Sequence, residues 1–148
     1  MNNLVSTYLL SIIVLTGCNH DDSIEPSPEP IIKAEIPFTG TWERQFEAGP
    51  GNLYTVNYYI YQDSIRYKLG GPIGNADYLM QRDTFLIENN RFIGHTNADK
   101  YYLMFTKNVS NNAITIYKQE IGDLIEGLSI DMPSDTTTQN HGWNTFHN

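Results

Sequence analysis

From residue 40 onward the apolar residues of this chain recur at every second position, and that period restricts the fold more than any other feature of the 148 residues. Residues 53–62 read LYTVNYYIYQ. Tyr54, Val56, Tyr58 and Ile60 fall on one face of a strand, and Thr55, Asn57, Tyr59 and Tyr61 on the other. Asp63-Ser64 supports a tight turn. Ile65, Tyr67 and Leu69 then alternate with Arg66 and Lys68, the pattern of a half-buried strand. Further short strands are predicted over residues 76–81, 84–88, 91–95, 101–107 and 113–120, with turns at Arg82-Asp83, Asn89-Asn90, 97–100 and 108–112. Residues 142–147, with Trp143 and Phe146, read as a returning last strand. Turn signals every 8–12 residues or so predict an all-β domain. The short connections predict a small up-and-down antiparallel β-barrel of about eight or nine strands.

One segment breaks the period. Ile121, Leu124, Ile125 and Leu128 are spaced as one face of a helix, and Asp123 and Glu126 have capping-box spacing. A short helix near 123–130 is therefore expected, limited by Gly122 and Gly127 and barred from continuing by Pro133. The glycine-rich loop at Gly70-Gly71-Pro72 has no Lys-Ser or Lys-Thr after it, so it reads as a hairpin loop and not as a phosphate cradle.

The N-terminal part has a different character. Residues 4–15 are an apolar run, long enough for a signal h-region and shorter than the about 20 residues that span a bilayer. The run ends in Leu15-Thr16-Gly17-Cys18. These four residues resemble the lipobox of bacterial lipoproteins. The resemblance implies diacylglyceryl transfer to the Cys18 thiol, cleavage between Gly17 and Cys18, and an acylated N-terminus bearing chains such as palmitate. Two or three such chains give stable attachment where one does not. Cys18 is the sole cysteine, so no disulfide is expected. Asn19, in place of Asp, implies sorting to the outer membrane by the same resemblance, and Asp21-Asp22 resembles an acidic surface-export signal. Four prolines and a net charge of −4 over residues 19–37 predict an extended tether. The expected organisation is a signal peptide at 1–17, lipidated Cys18 and tether at 18–37, and a barrel domain at 38–148.

Gly40-Thr41-Trp42 opens the first strand, and Asp99-Lys100-Tyr101-Tyr102 precedes a late one. These residues resemble the G-x-W and D-x-x-Y signatures of lipocalins. The order of strands, short helix and last strand is also similar. The resemblance implies a barrel plugged at its closed end by Trp42. The Arg of the third lipocalin signature has no counterpart after Arg91, and Lys118 is the nearest cation.

Charge and motifs narrow the function classes. From Phe38 on there are eight basic and twelve acidic residues with no basic stripe, so nucleic acid is not an expected partner. There is no G-x-S-x-G, and acylation consumes the thiol, so no catalysis is expected. Nine tyrosines lie in the domain. Each has an apolar ring with a polar tip, suited either to filling a small core or to lining a mouth that binds a small hydrophobic or aromatic ligand. Tyr54, Tyr58 and Tyr67 are the candidates for that lining. No cofactor is expected in this reading. Two alternatives stay open: a zinc site in which His95, His141 and His147 converge, and a cell-surface protein-interaction module without a pocket.

Overall fold

The structure, a computed structural model, describes residues 33–134 and 142–148. The lipobox with Cys18, the Pro-rich arm before residue 33, and His141 lie outside the described residues. Eight antiparallel strands close into a barrel in sequence order. They are β1 (Gly40–Glu47), β2 (Leu53–Ile60), β3 (Ser64–Gly70), β4 (Ala76–Leu86), β5 (Arg91–His95), β6 (Tyr101–Lys107), β7 (Ala113–Ile121) and β8 (Asn144–His147). Among the described residues one short α-helix, α1 (Leu124–Ser129), lies between β7 and β8. The last strand pairs with β7 along its length and meets β1 at Glu43 opposite His147, which closes the sheet.

The turns form where Asn and Asp tolerate left-handed backbone. Asn90, Asp99 and Asn108 have φ of 46°, 54° and 52°. One expected turn does not exist. Arg82-Asp83 lies inside β4, where the pairing with β5 slips between Arg82 and Thr84. The extra residue is a β-bulge, so the two predicted strands 76–81 and 84–88 are one, and the barrel has eight strands, not nine. A bulge and a turn both break the two-residue phase, which is why the sequence pattern did not separate them. The bulge serves the core: Tyr78 and Met80 pack inward before it, and Phe85 after it.

Because alternate residues point to opposite faces, the buried side chains divide into two clusters. The inner cluster includes Trp42, Ile60, Ile65, Met80, Phe92 and Met104. Ile36 and Phe38 join it from the segment preceding β1. Ile36 is 1% exposed, its N–H donates to Gln62 Oε1 at 2.9 Å, and Gln62 Nε2 donates back to its carbonyl at 3.0 Å. The domain therefore begins before Phe38, and the end of the expected tether is part of the barrel core. Trp42 is buried beside this segment, and its indole N–H donates to the Phe38 carbonyl at 3.0 Å.

The outer cluster lies on the opposite face of β5 to β7 and comprises Ile93, Leu103, Phe105, Ile121 and Trp143, with Leu124 and Ile130 packed against it. This is why 101–105 (YYLMF) has no polar alternation: both faces of β6 are covered. Asp123 caps α1, accepting from the Glu126 N–H at 2.8 Å. The helix buries only part of the face its spacing predicts: Ile121 and Leu124 pack on the cluster. Ile125 is 76% exposed and Leu128 46%, while Gly127 is buried. A Cβ on Gly127 would lie 2.6 Å from Ile121 Cδ1 and 2.9 Å from Ile93 Cδ1, so the bare backbone makes the contact. Buried Arg91 fixes this orientation by donating from Nη1 to the Gly127 and Leu128 carbonyls at 3.0 and 2.5 Å, a cation at a helix C-terminus.

Gly94 in β5 is equally constrained: a Cβ there would lie 2.3 Å from the Gln81 carbonyl oxygen and 2.7 Å from the Phe92 ring. Gly94→Ala is expected to overpack the bulge region and destabilise the domain by about 1–3 kcal/mol. An unchanged urea midpoint for this variant would show that the close approach is not a constraint.

Candidate functional site

The inward residues toward the end of β1 do not fill the barrel. They enclose a cavity of about 690 Å³ lined from seven of the eight strands, all but β5, within the usual range for small-molecule sites of about 300–1,000 Å³. Two parts of the lining differ in chemistry. One is apolar: Phe46 of β1, Tyr54 and Val56 of β2, Leu69 of β3 and Phe146 of β8. Phe46 and Tyr54 stack with centroids 5.4 Å apart, and Gly71 approaches so closely that a Cβ there would fall 2.0 Å from the Tyr54 ring. Gly71, in the loop between β3 and β4, thus lets the chain lie against the Tyr54 ring.

The other part, one inward pair further along β2 and β3, is a row of phenols. Tyr58, Tyr67 and Tyr78 are paired in register across β2, β3 and β4. Their centroids lie 5.2 and 5.1 Å apart, and Tyr102 of β6 stacks on Tyr78 at 5.0 Å. Such aromatic pairs add stabilisation beyond burial. Lys118 of β7 reaches into this row. Its ammonium donates to the Tyr78 hydroxyl and lies 3.5 Å from the Tyr67 ring centroid, with the Tyr78 and Tyr102 rings at 5.0 and 5.2 Å. Glu120, at the rim, accepts from Lys100 Nζ at 3.2 Å and from the Tyr102 hydroxyl at 3.4 Å.

Burial governs the ionisation of this wall. It lowers the Lys118 amine to about 8, against a weaker upward pull from Glu120. It raises Tyr58, Tyr67 and Tyr78, with the neighbouring phenols adding to the effect. Near neutral pH the wall therefore presents an ammonium and neutral phenols, a set rich in hydrogen-bond donors. The arrangement can stack a flat body and hold an acceptor.

The three tyrosines singled out by spacing, Tyr54, Tyr58 and Tyr67, all line the cavity. Tyr78, Tyr102, Arg44 and the ammonium of Lys118 were not recognised as lining. The signal for Lys118 was its phase: it continues the inward series Ile114 and Ile116, where a charge is unexpected. Lys118 thus lies over Tyr67, within the cavity wall.

His95 and His147 do not come together. His95 is on β5, its Nδ1 2.9 Å from Asp83 Oδ1 at the bulge. His147 is on β8, with β6 and β7 between them in the strand order. Among the described residues no three His, Cys, Asp or Glu side chains come together as a metal site. The zinc alternative, which needs His95, His141 and His147 to converge, thus lacks the meeting of His95 with His147, because each faces out from a separate part of the wall; His141 lies outside the described residues.

No protein-family model, curated protein or solved structure matches the chain.

The Lys118 environment has a consequence for stability. With a folded-state value near 8 and an ordinary one of 10.5, the folded and unfolded chains are both protonated at pH 7. Between pH 8 and 10 the unfolded chain holds more protons, so this group adds stability as pH rises. Above pH 10 the raised tyrosines act oppositely, because the unfolded phenols ionise first. From pH 7 to 9.5 the wild type is expected to gain about 2 kcal/mol on Lys118→Met. Parallel urea-midpoint profiles for the two proteins would contradict this.

Proposed function

We propose that the barrel is a non-catalytic binding domain of lipocalin-like type, and that it receives a small ligand with an apolar or aromatic body in the tyrosine-lined cavity. The observation that carries this reading is the open volume of about 690 Å³ lined by stacked tyrosines and apolar side chains. A domain without a ligand has no packing reason to leave such space, since interiors are ordinarily close-packed. The opposite end shows that this chain can fill a barrel, with Ile36, Phe38 and Trp42 buried there.

The domain belongs, in this reading, to an acylated lipoprotein. Cys18 carries the acyl chains, the residues between Cys18 and the start of the barrel domain provide reach beyond the membrane, and the chain resides in the cell envelope at the outer membrane, with a surface-facing position available. The support is the sequence of residues 4–18. A tethered binding domain keeps its ligand near the membrane surface. The exposed Ile125 and Leu128 of α1 favour a second role in protein contact.

Native mass spectrometry of the full chain, purified in detergent, tests the pocket. A reproducible added mass that disappears on denaturation is expected, and its value identifies an organic ligand as opposed to a metal ion. A bare mass that stays bare after addition of a lipid and aromatic panel would overturn the pocket reading. Separately, Cys18→Ala is expected to release the protein from the membrane fraction or leave an uncut precursor, and fractionation and mass identical to wild type would overturn the anchor.

A further inference from the structure

The pocket reading leaves the ligand class open, but the two parts of the lining restrict it. We propose that the cavity takes an organic monoanion: a carboxylate head seated against Lys118 and the Tyr67 hydroxyl, on an apolar or aromatic body lying against Phe46, Tyr54, Val56 and Leu69. This rests on the pocket reading above and deepens it.

Three observations point this way. The first is the sign of the lining charge. The domain is acidic overall, with twelve acidic and eight basic residues from Phe38 on. The cavity, in contrast, is lined by Arg44 and Lys118 against Glu120 alone. Glu120 is already engaged by Lys100 and the Tyr102 hydroxyl. A cationic ligand would enter against the local field, and an anion with it.

The second is the state of Lys118. Buried ammonium groups are ordinarily paired. Among the described residues this one has no carboxylate within ion-pair distance, and its contacts are the Tyr78 hydroxyl and three ring faces. Ring faces offset part of the desolvation cost of a cation without neutralising it. A ligand carboxylate would supply the missing counter-charge, and one such cation calls for one negative charge.

The third is the supply of donors. Tyr67 lines the cavity, and among the described residues its hydroxyl has no hydrogen-bond partner. Burial keeps Tyr67 and Tyr78 in their neutral, proton-bearing form. A carboxylate has acceptor capacity for both an ammonium and a phenol. Phe46, Val56 and Leu69, beside the phenol row along β1 to β3, carry no side-chain donors, so the anionic head and the body of the ligand are directed to different parts of the cavity. The groups facing Lys118 are Tyr67 from β3, Tyr78 from β4, Tyr102 from β6 and Glu120 from its own strand, with Arg44 of β1 in the same cavity.

Titration calorimetry of the full chain with 2-naphthoate and 2-naphthalenemethanol tests the inference, because the two probes share a body and differ in charge. The carboxylate is expected to bind at least about tenfold tighter at pH 7. Lys118→Met is expected to remove the carboxylate's advantage over the alcohol. In the wild type the preference is expected to decline from pH 7 to 9.5 as Lys118 loses its proton, and this series decides the matter if the variant does not fold. Equal affinities in the wild type, a preference that persists in Lys118→Met, or one that does not vary with pH overturns the anion inference. Binding of the alcohol alone overturns the anion inference and leaves the pocket reading standing. Binding of neither probe overturns both.

Discussion

Closure of the sheet is the constraint on which the rest of the structure depends. Strand β8 is four residues long, yet it pairs with β7 from Ala113 to Ile116 and meets β1 at Glu43. Without it, β1 and β7 would present free edges able to pair with another chain. With it, the inward residues of all eight strands face a common space, and each side chain's surroundings are set by residues distant in sequence. Tyr78 and Lys118, forty positions apart, become hydrogen-bond partners in this way.

A closed barrel of eight strands has an interior near the size that side chains can fill or one small ligand can occupy. This barrel does both, at opposite ends. At one end the segment before β1 turns inward, and Ile36, Phe38 and Trp42 complete the packing with Ile60, Ile65 and Met80. At the other, the tyrosine rings stand against one another along the wall and leave the centre open. Lys118 lies in the ring wall. Burying a cation there is costly, and the rings that surround it reduce that cost. Such a residue contributes little to the stability of an empty domain near neutral pH, which gives it the character of a recognition group.

The outer face of β5 to β7 follows a different logic. A barrel strand normally shows water one of its faces, but Ile93, Leu103 and Phe105 are covered by α1 and by Trp143. The helix is six residues long and would be marginal alone. It is retained by Asp123 at one end, by Arg91 bonded to its last carbonyls, and by the Gly127 backbone against Ile93 and Ile121. The second cluster thickens the wall on one side and leaves Ile125 exposed.

The sequence by itself determined the strands, their order and most of their turns, because each depends on neighbours in the chain: the alternation around Tyr58 and Tyr67, the Asn and Asp residues at left-handed positions, the Asp123 cap. It also placed Tyr54, Tyr58 and Tyr67 on inward faces, since phase within one strand is a local property. The tertiary structure decided what phase alone does not contain. It turned Arg82-Asp83 into a bulge, since pairing with β5 exists only across strands. It drew Ile36 into the core from a segment that reads as tether, and turned α1 onto Gly127 in place of Ile125. It also brought Lys118 over Tyr67, which depends on how β3 and β7 face each other across the barrel. Local patterns record which face a residue takes, whereas only closure of the sheet decides what stands opposite.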